Sequence, residues 1–315
     1  MNSSNKVRLE PLSDSVFNYL FSDRNMNICM QEFIDSVLTD AGDPLIGKVT
    51  RIQTQYDVKK RIFGARGGRL DVRAEAADGT LFDIEVQTYS EPYMNDRSWF
   101  YGSSLMSEEF HEGQRYSGMP KVRVINILDF VLRANHPDLL QPIGLLYRKS
   151  PEVASDAFRI YNIELPKFRK ENPTVESVKD DPLRRWLYVL DAGYMNEHEM
   201  EVFSSMSEGL RAFAKRYKIS MSDPDLRRMY NYEMSAKHDL ASREYNAKME
   251  GIAEGRVEGR VEGRVEGIAE GEMNQRMKSI RRMLTNRIPV DTIYQCVDAS
   301  KEEIDALIAK IRAEG

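Results

Sequence analysis

Arg69-Leu-Asp-Val-Arg-Ala-Glu-Ala-Ala-Asp-Gly-Thr-Leu-Phe-Asp-Ile-Glu-Val-Gln87 alternates in polarity on both sides of Asp78-Gly79, so it reads as two β-strands joined by a tight turn. Leu70, Val72 and Ala74 share one face with Phe82, Ile84 and Val86, while Arg69, Asp71, Arg73, Glu75, Asp83, Glu85 and Gln87 take the other. The loop decides which acids meet. A two-residue turn would set Asp71 opposite Val86 and send Asp71 and Glu85 to different faces. A three-residue loop of Ala77, Asp78 and Gly79, closed by a glycine in the left-handed region, sets Asp71 directly across from Glu85. Two carboxylates so placed repel by up to roughly 1 kcal/mol in an ordinary sheet. A divalent cation between them would compensate; a solvated acidic face is the alternative.

The surrounding chain supplies helices and further strands. Residues 13–39 carry apolar groups at helical spacing, from Val16 and Phe17 to Ile34 and Val37, and predict two helices broken near Ser22-Asp23. Lys48 to Tyr56 reads as a strand ahead of the hairpin, residues 95–114 as a helix, and Lys121 to Phe130 as a strongly apolar strand. Phe158 to Leu165 is a further strand that extends the sheet or pairs at its edge. Asp14 falls in the first turn of the first helix, where an acid complements the helix dipole. Arg97 and Tyr101 lie one turn apart and face the same way, and Trp99 and Phe100 are assigned to core packing.

Asp71 followed by Glu85-Val86-Gln87 is similar to the D…(D/E)-x-K signature of PD-(D/E)XK nucleases, with glutamine where lysine is usual. The flanks add Asp14-Ser-Val-Phe-Asn-Tyr-Leu-Phe21, Arg97-Ser-Trp-Phe-Tyr101, Gly113-Gln-Arg-Tyr116 and Pro120-Lys-Val-Arg-Val-Ile-Asn-Ile-Leu-Asp-Phe130. In this order the segments resemble the PD-(D/E)XK nuclease family transposases, also called recombination-promoting nucleases, over residues 10–150. The resemblance implies an α/β, restriction-endonuclease-like core with the order α-β-β-β-α-β. It further implies Mg²⁺- or Mn²⁺-dependent hydrolysis of DNA in a recombination or mobile-element setting. Asp71, Glu85 and the Val86 carbonyl would hold the metal, with Gln87 in the lysine position and Asp14 as an additional acid. Arg97 becomes a candidate for orienting a phosphate or a catalytic carboxylate, the alternative being a surface ion pair. Gln87 can hydrogen-bond a water or phosphate but brings no positive charge and cannot act as a base.

Net charge is -5 over 315 residues, so no overall basic field advertises nucleic acid. DNA contact would need a local patch, and Lys59, Lys60, Arg61, Arg66, Arg69 and Arg73 cluster around the hairpin; a basic loop balanced by acids is the alternative. Cys29 and Cys296 are far apart and read as reduced thiols of a cytoplasmic protein. The four histidines form no HExxH pair, no serine sits in a G-x-S-x-G elbow, and Gly64-Ala-Arg-Gly67-Gly68 lacks the ending of a phosphate-binding loop. No signal peptide or membrane-spanning run is evident.

Four segments follow: 1–170 as the nuclease-like domain, 171–249 as a helical region, 250–271 as a repeat, and 272–315 as C-terminal amphipathic helices. In the repeat, Glu-Gly-Arg-Val recurs with a period of four, so glycines, glutamates and the Val257/Val261/Val265/Ala269 row each form a drifting helical stripe. Either the stripe packs against a second copy, giving a homo-oligomer, or the segment is a solvated tether. At the level of function, the alternative to a nuclease is a DNA-binding or oligomerising scaffold that keeps the fold.

Overall fold

The computed structural model describes residues 8–57, 69–90, 92–191 and 196–313. The chain falls into two compact units, one running to Ser235 and one beginning at Ala236. In the first unit, α1 (Asp14–Phe21) and α2 (Asn27–Asp40) precede β1 (Val49–Asp57), β2 (Arg69–Ala76) and β3 (Leu81–Gln87). Helix α3 (Met94–Glu109) then leads to β4 (Val122–Leu128), β5 (Leu140–Leu146) and β6 (Val153–Glu164). Five helices follow: α4 (Leu165–Lys170), α5 (Val175–Val178), α6 (Pro182–Leu190), α7 (Glu197–Met206) and α8 (Glu208–Ser220). Helix α9 (Pro224–Thr285) begins in the first unit and continues into the second, which also holds α10 (Val290–Cys296) and α11 (Lys301–Ala313).

The strands form one mixed sheet in the order β1-β2-β3-β4-β6-β5. β1, β2 and β3 are antiparallel neighbours, β3, β4 and β6 run parallel, and β5 closes the far edge antiparallel to β6. Every residue of β4 is buried, as expected of a central parallel strand covered on both faces. This is the helix, three strands, helix, strand order of a restriction-endonuclease-like fold, with flanking helices and a long helical C-terminal region.

Each sheet face has its own core. Val72, Ala74, Phe82, Ile84, Val86, Ile125, Ile127, Tyr161 and Ile163 pack with α1, α2, α6 and α8 in the larger cluster, which includes Phe33, Trp186 and Phe213. The opposite face carries a smaller cluster of Leu81, Leu105, Val122, Val124, Phe158 and Ile160 beneath α3. The close approach of α3 depends on Gly102, where an added Cβ would come within 2.4 Å of the Phe158 ring. In the second unit Ile280, Ile293, Val297, Ile304, Ile308 and Ile311 form a separate core among the end of α9, α10 and α11.

Two expectations change. Strand β5 was absent from the sequence reading because Pro142 and Gly144 interrupt its apolar pattern. Its place at the sheet edge, where a proline removes no ladder bond that matters, explains both residues. Trp99 and Phe100 are 37% and 44% exposed, so neither is a core residue, although Trp99 stacks on Phe158 at 4.1 Å between ring centroids. The repeat lies wholly within α9 and is helical; Val257, Val261 and Val265 are exposed, and a Cβ at Gly259, Gly263 or Gly267 would meet nothing within 4 Å.

Candidate active site

The hairpin has the three-residue loop. Val72 pairs with Ile84 and Arg73 with Asp83, Gly79 takes φ +82°, and its N–H donates to the Ala76 carbonyl at 3.0 Å. One step beyond Val72 and Ile84 this register brings Asp71 across from Glu85. There the acids engage the opposite backbone: the Val86 N–H donates to Asp71 Oδ2 at 3.0 Å, and the Asp71 N–H donates to Glu85 Oε1 at 3.3 Å. Because N–H and C=O of an extended residue point to the same strand edge, the Val86 carbonyl also turns toward β2.

The acidic face is only partly open to solvent, with Asp71 and Gln87 half-buried. Glu85 is 2% exposed, Asp83 is fully buried, and α3 covers them. Glu85 Oε2 accepts from Gln87 Nε2 at 3.0 Å and lies 3.5 Å from the Arg97 guanidinium. Burial first, and then the charge of Asp71, push the Glu85 carboxyl up to about 7. Asp83 is pushed well above the ordinary carboxylate range, again by burial first and then by Glu85 and Asp71. Neither Asp83 oxygen finds a hydrogen-bond partner among the described residues.

These residues suit a hard divalent cation. Asp71 and Glu85 offer carboxylate oxygens from adjacent strands, the Val86 carbonyl offers a third, and added positive charge relieves the buried Glu85 carboxyl, which burial and the Asp71 charge hold up. Among the described residues no three His, Cys, Asp or Glu side chains converge on one point, so the donor set is two carboxylates and backbone. A small cation that keeps several of its waters needs no more.

The other expected residues are dispersed. Asp14 opens α1, and its N–H and that of Ser15 donate to the two oxygens of Glu233 on α9, each at 2.9 Å. It lines a cleft of about 560 Å³ with Gln55, which the β1–β2 register sets opposite Asp71. Arg97 lies 3.5 Å from Glu85, and, as its spacing predicts, it shares a side of α3 with Tyr101, its guanidinium carbon 5.1 Å from that ring centroid. Arg73, expected to help contact DNA, is 4% exposed and its guanidinium donates to Glu109 at 2.7 Å, so it joins β2 to α3. Lys59, Lys60, Arg61 and Arg66 lie outside the described residues, as does the side chain of Arg69.

Sequence reasoning missed the amides beside Glu85. Asn126 on β4 pairs with Glu85, and Asn162 on β6 pairs with Asn126, both fully buried. A signal was present in Arg123-Val-Ile-Asn-Ile127 and Arg159-Ile-Tyr-Asn-Ile163, two strands that carry the same Arg-x-x-Asn-Ile pattern in register.

Comparison with curated proteins and with solved structures returned no match for this chain. A family model does match: that of the PD-(D/E)XK nuclease family transposases covers residues 11–246, and the chain belongs to this family.

Proposed function

We propose that this protein is a Mg²⁺- or Mn²⁺-dependent DNA endonuclease acting in recombination or on a mobile element. Membership of a nuclease family gives the hydrolytic class and DNA as substrate, and such nucleases generally use divalent metals. The observation that carries the finer reading is the Asp71–Glu85 pair, half-buried Asp71 beside buried Glu85 in cross-strand register, each carboxylate tied to the other strand's backbone. Asp71, Glu85 and the Val86 carbonyl would hold the cation. When bound, it supplies Lewis-acid polarisation of the phosphate and a lowered pKa for the attacking water. Arg97, about one third exposed, balances charge between Glu85 and a phosphate oxygen. Gln87 orients Glu85 through its amide and can donate its remaining N–H to water or phosphate. Asp14 adds an acid to the cleft wall beside Gln55. DNA contact falls to Arg97 and to the basic segment containing Lys59, Lys60, Arg66 and Arg69.

The test is cleavage of plasmid and linear DNA with Mg²⁺, Mn²⁺ or EDTA, comparing wild type with Asp71→Ala and Glu85→Ala. Both variants should lose cleavage and bind Mn²⁺ more weakly in calorimetry while melting no earlier than wild type, since each loses a repelling charge. Unchanged nicking by both would sink the assignment. A second reading, a weakly active scaffold that binds DNA, draws on one observation: Gln87 supplies no charge where the family signature has lysine. DNA binding by wild type without any metal-dependent cleavage would favour it. On either reading we assign homo-oligomerisation to the exposed repeat of α9.

A further inference from the structure

Glu85, Asn126 and Asn162 stand side by side on β3, β4 and β6, a row of buried polar side chains across the middle of the sheet. The two amides are bonded to each other and to α3. Asn126 Nδ2 donates to Asn162 Oδ1 at 2.7 Å and to Ser98 Oγ at 2.9 Å, and Asn162 Nδ2 donates to Asn95 Oδ1 at 2.9 Å. Ser98 spends its own proton on the Met94 carbonyl at 2.9 Å, which leaves its oxygen as the acceptor Asn126 needs. Asn95 and Ser98 bracket Arg97, the residue whose guanidinium approaches Glu85.

A purely structural role would be served by an apolar residue, as at Val124 and Leu128 on the same face of β4. Asn126 is instead fully buried with its Oδ1 lacking a hydrogen-bond partner among the described residues, a standing cost for a group in the interior. Of the two bonds it makes, one holds Ser98 of α3 directly and the other holds Asn162, which in turn holds Asn95, so both bear on the first turns of α3 at the level of Glu85. We propose that Asn126 and Asn162 are positioning residues that grip Asn95 and Ser98 and thereby set how closely Arg97 approaches Glu85. The inference rests on the nuclease reading of Asp71 and Glu85. With α3 gripped, the guanidinium is shared between Glu85 and a substrate phosphate. Once α3 is released, Arg97 withdraws, and two consequences of opposite sign follow. Loss of a nearby positive charge strengthens cation binding at Glu85, while loss of the phosphate partner slows cleavage.

The experiment measures Mn²⁺ affinity by calorimetry, and kcat and KM for DNA cleavage, in Asn126→Leu and Ser98→Ala, each with Arg97 intact and in an Arg97→Ala background. With Arg97 intact, both variants should bind Mn²⁺ more tightly than wild type, and kcat should fall by about tenfold or more, as for other groups supporting a metal site. In the Arg97→Ala background both effects should vanish, because the grip acts through that residue. Ser98→Ala leaves the sheet interior untouched and carries the test if Asn126→Leu does not fold. Weakened Mn²⁺ binding, no change, or an effect of equal size without Arg97 would overturn the inference. Asp71→Ala serves as the control on the underlying reading: if it binds Mn²⁺ and cleaves like wild type, the metal-site assignment itself fails. If Asp71→Ala is inactive while the Asn126 effect persists without Arg97, only the positioning role falls.

Discussion

Gln87 sits two residues beyond Glu85 on the same face and gives that carboxylate an N–H at 3.0 Å, so its amide holds an acid that burial and Asp71 make reluctant to ionise. Gln87→Leu removes the donor and should lower DNA cleavage, whereas Gln87→Lys supplies both a donor and a charge and should keep or raise it. Equal rates for Leu and Gln in a single-turnover assay would make the position structural. Cys29 is a second residue whose chemistry follows from its surroundings. Burial, and then the Glu32 charge, push its thiol from 9.0 up to about 12, and its Sγ donates to the Gly209 carbonyl at 3.0 Å. At pH 8 the folded chain therefore keeps Cys29 as the thiol, so a disulfide reagent should label exposed Cys296 promptly and Cys29 only after unfolding. Between pH 9 and about 12 the unfolded chain releases this proton and the folded chain retains it, so stability contributed here falls as pH rises. The hairpin register that sets Asp71 across from Glu85 was legible in sequence because Gly79 suits the three-residue loop and the loop selects the pairing. Burial of Arg73 was not, since alternation assigns a face but says nothing about what covers it.

Helix α3 is that cover, and its weakly amphipathic sequence explains why the acidic face could pass for a solvated one. Only Met94, Ser98, Gly102, Leu105 and Glu108 of its residues are buried, a stripe with two apolar side chains in five positions. The stripe works because Gly102 lets the helix backbone settle onto Phe158 and Val124. Alanine at 102 would gain about 1 kcal/mol in helix propensity, but its Cβ would lie 2.4 and 2.6 Å from Phe158 ring carbons and 3.0 Å from Val124 Cγ2. Overpacking of this kind costs about 1–3 kcal/mol, so Gly102→Ala should lower the melting temperature and displace Arg97 with the helix. A variant that melts at or above the wild-type temperature would show that α3 has slack. The other elements divide by the same logic. Buried strands β3 and β4 and the apolar faces of α1 and α2 announce themselves by pattern, whereas β5, with Pro142 and Gly144, becomes a strand only because β6 offers it an edge.

At the scale of the whole chain the unanswered question is what supports the tetrapeptide repeat. Gly251, Gly255, Gly259, Gly263, Gly267 and Gly271 all lie within α9, each costing about 1 kcal/mol against alanine, and among the described residues nothing approaches the space a Cβ would fill. The flanking Val257, Val261 and Val265 are exposed, so within one chain the helix gains little from burial to offset that cost. Glutamate and arginine alternate along the same segment, which makes its surface charge complementary to a second copy of itself. Four residues turn a helix by about 40° more than one revolution, so the glycine row drifts, and two copies would touch over only a few repeats with a right-handed crossing. Substituting Gly259, Gly263 and Gly267 together by leucine therefore separates two effects. Helix propensity rises and no intrachain contact is lost, so circular dichroism should report equal or greater helicity. Close approach of a second helix would be blocked, and light scattering should report an altered mass, while Mn²⁺ affinity at Asp71 and Glu85 stays at the wild-type value. A wild-type chain that remains monomeric at high micromolar concentration, with repeat amides exchanging like an unfolded peptide, would instead make the segment a tether whose glycines reflect solvation and not contact.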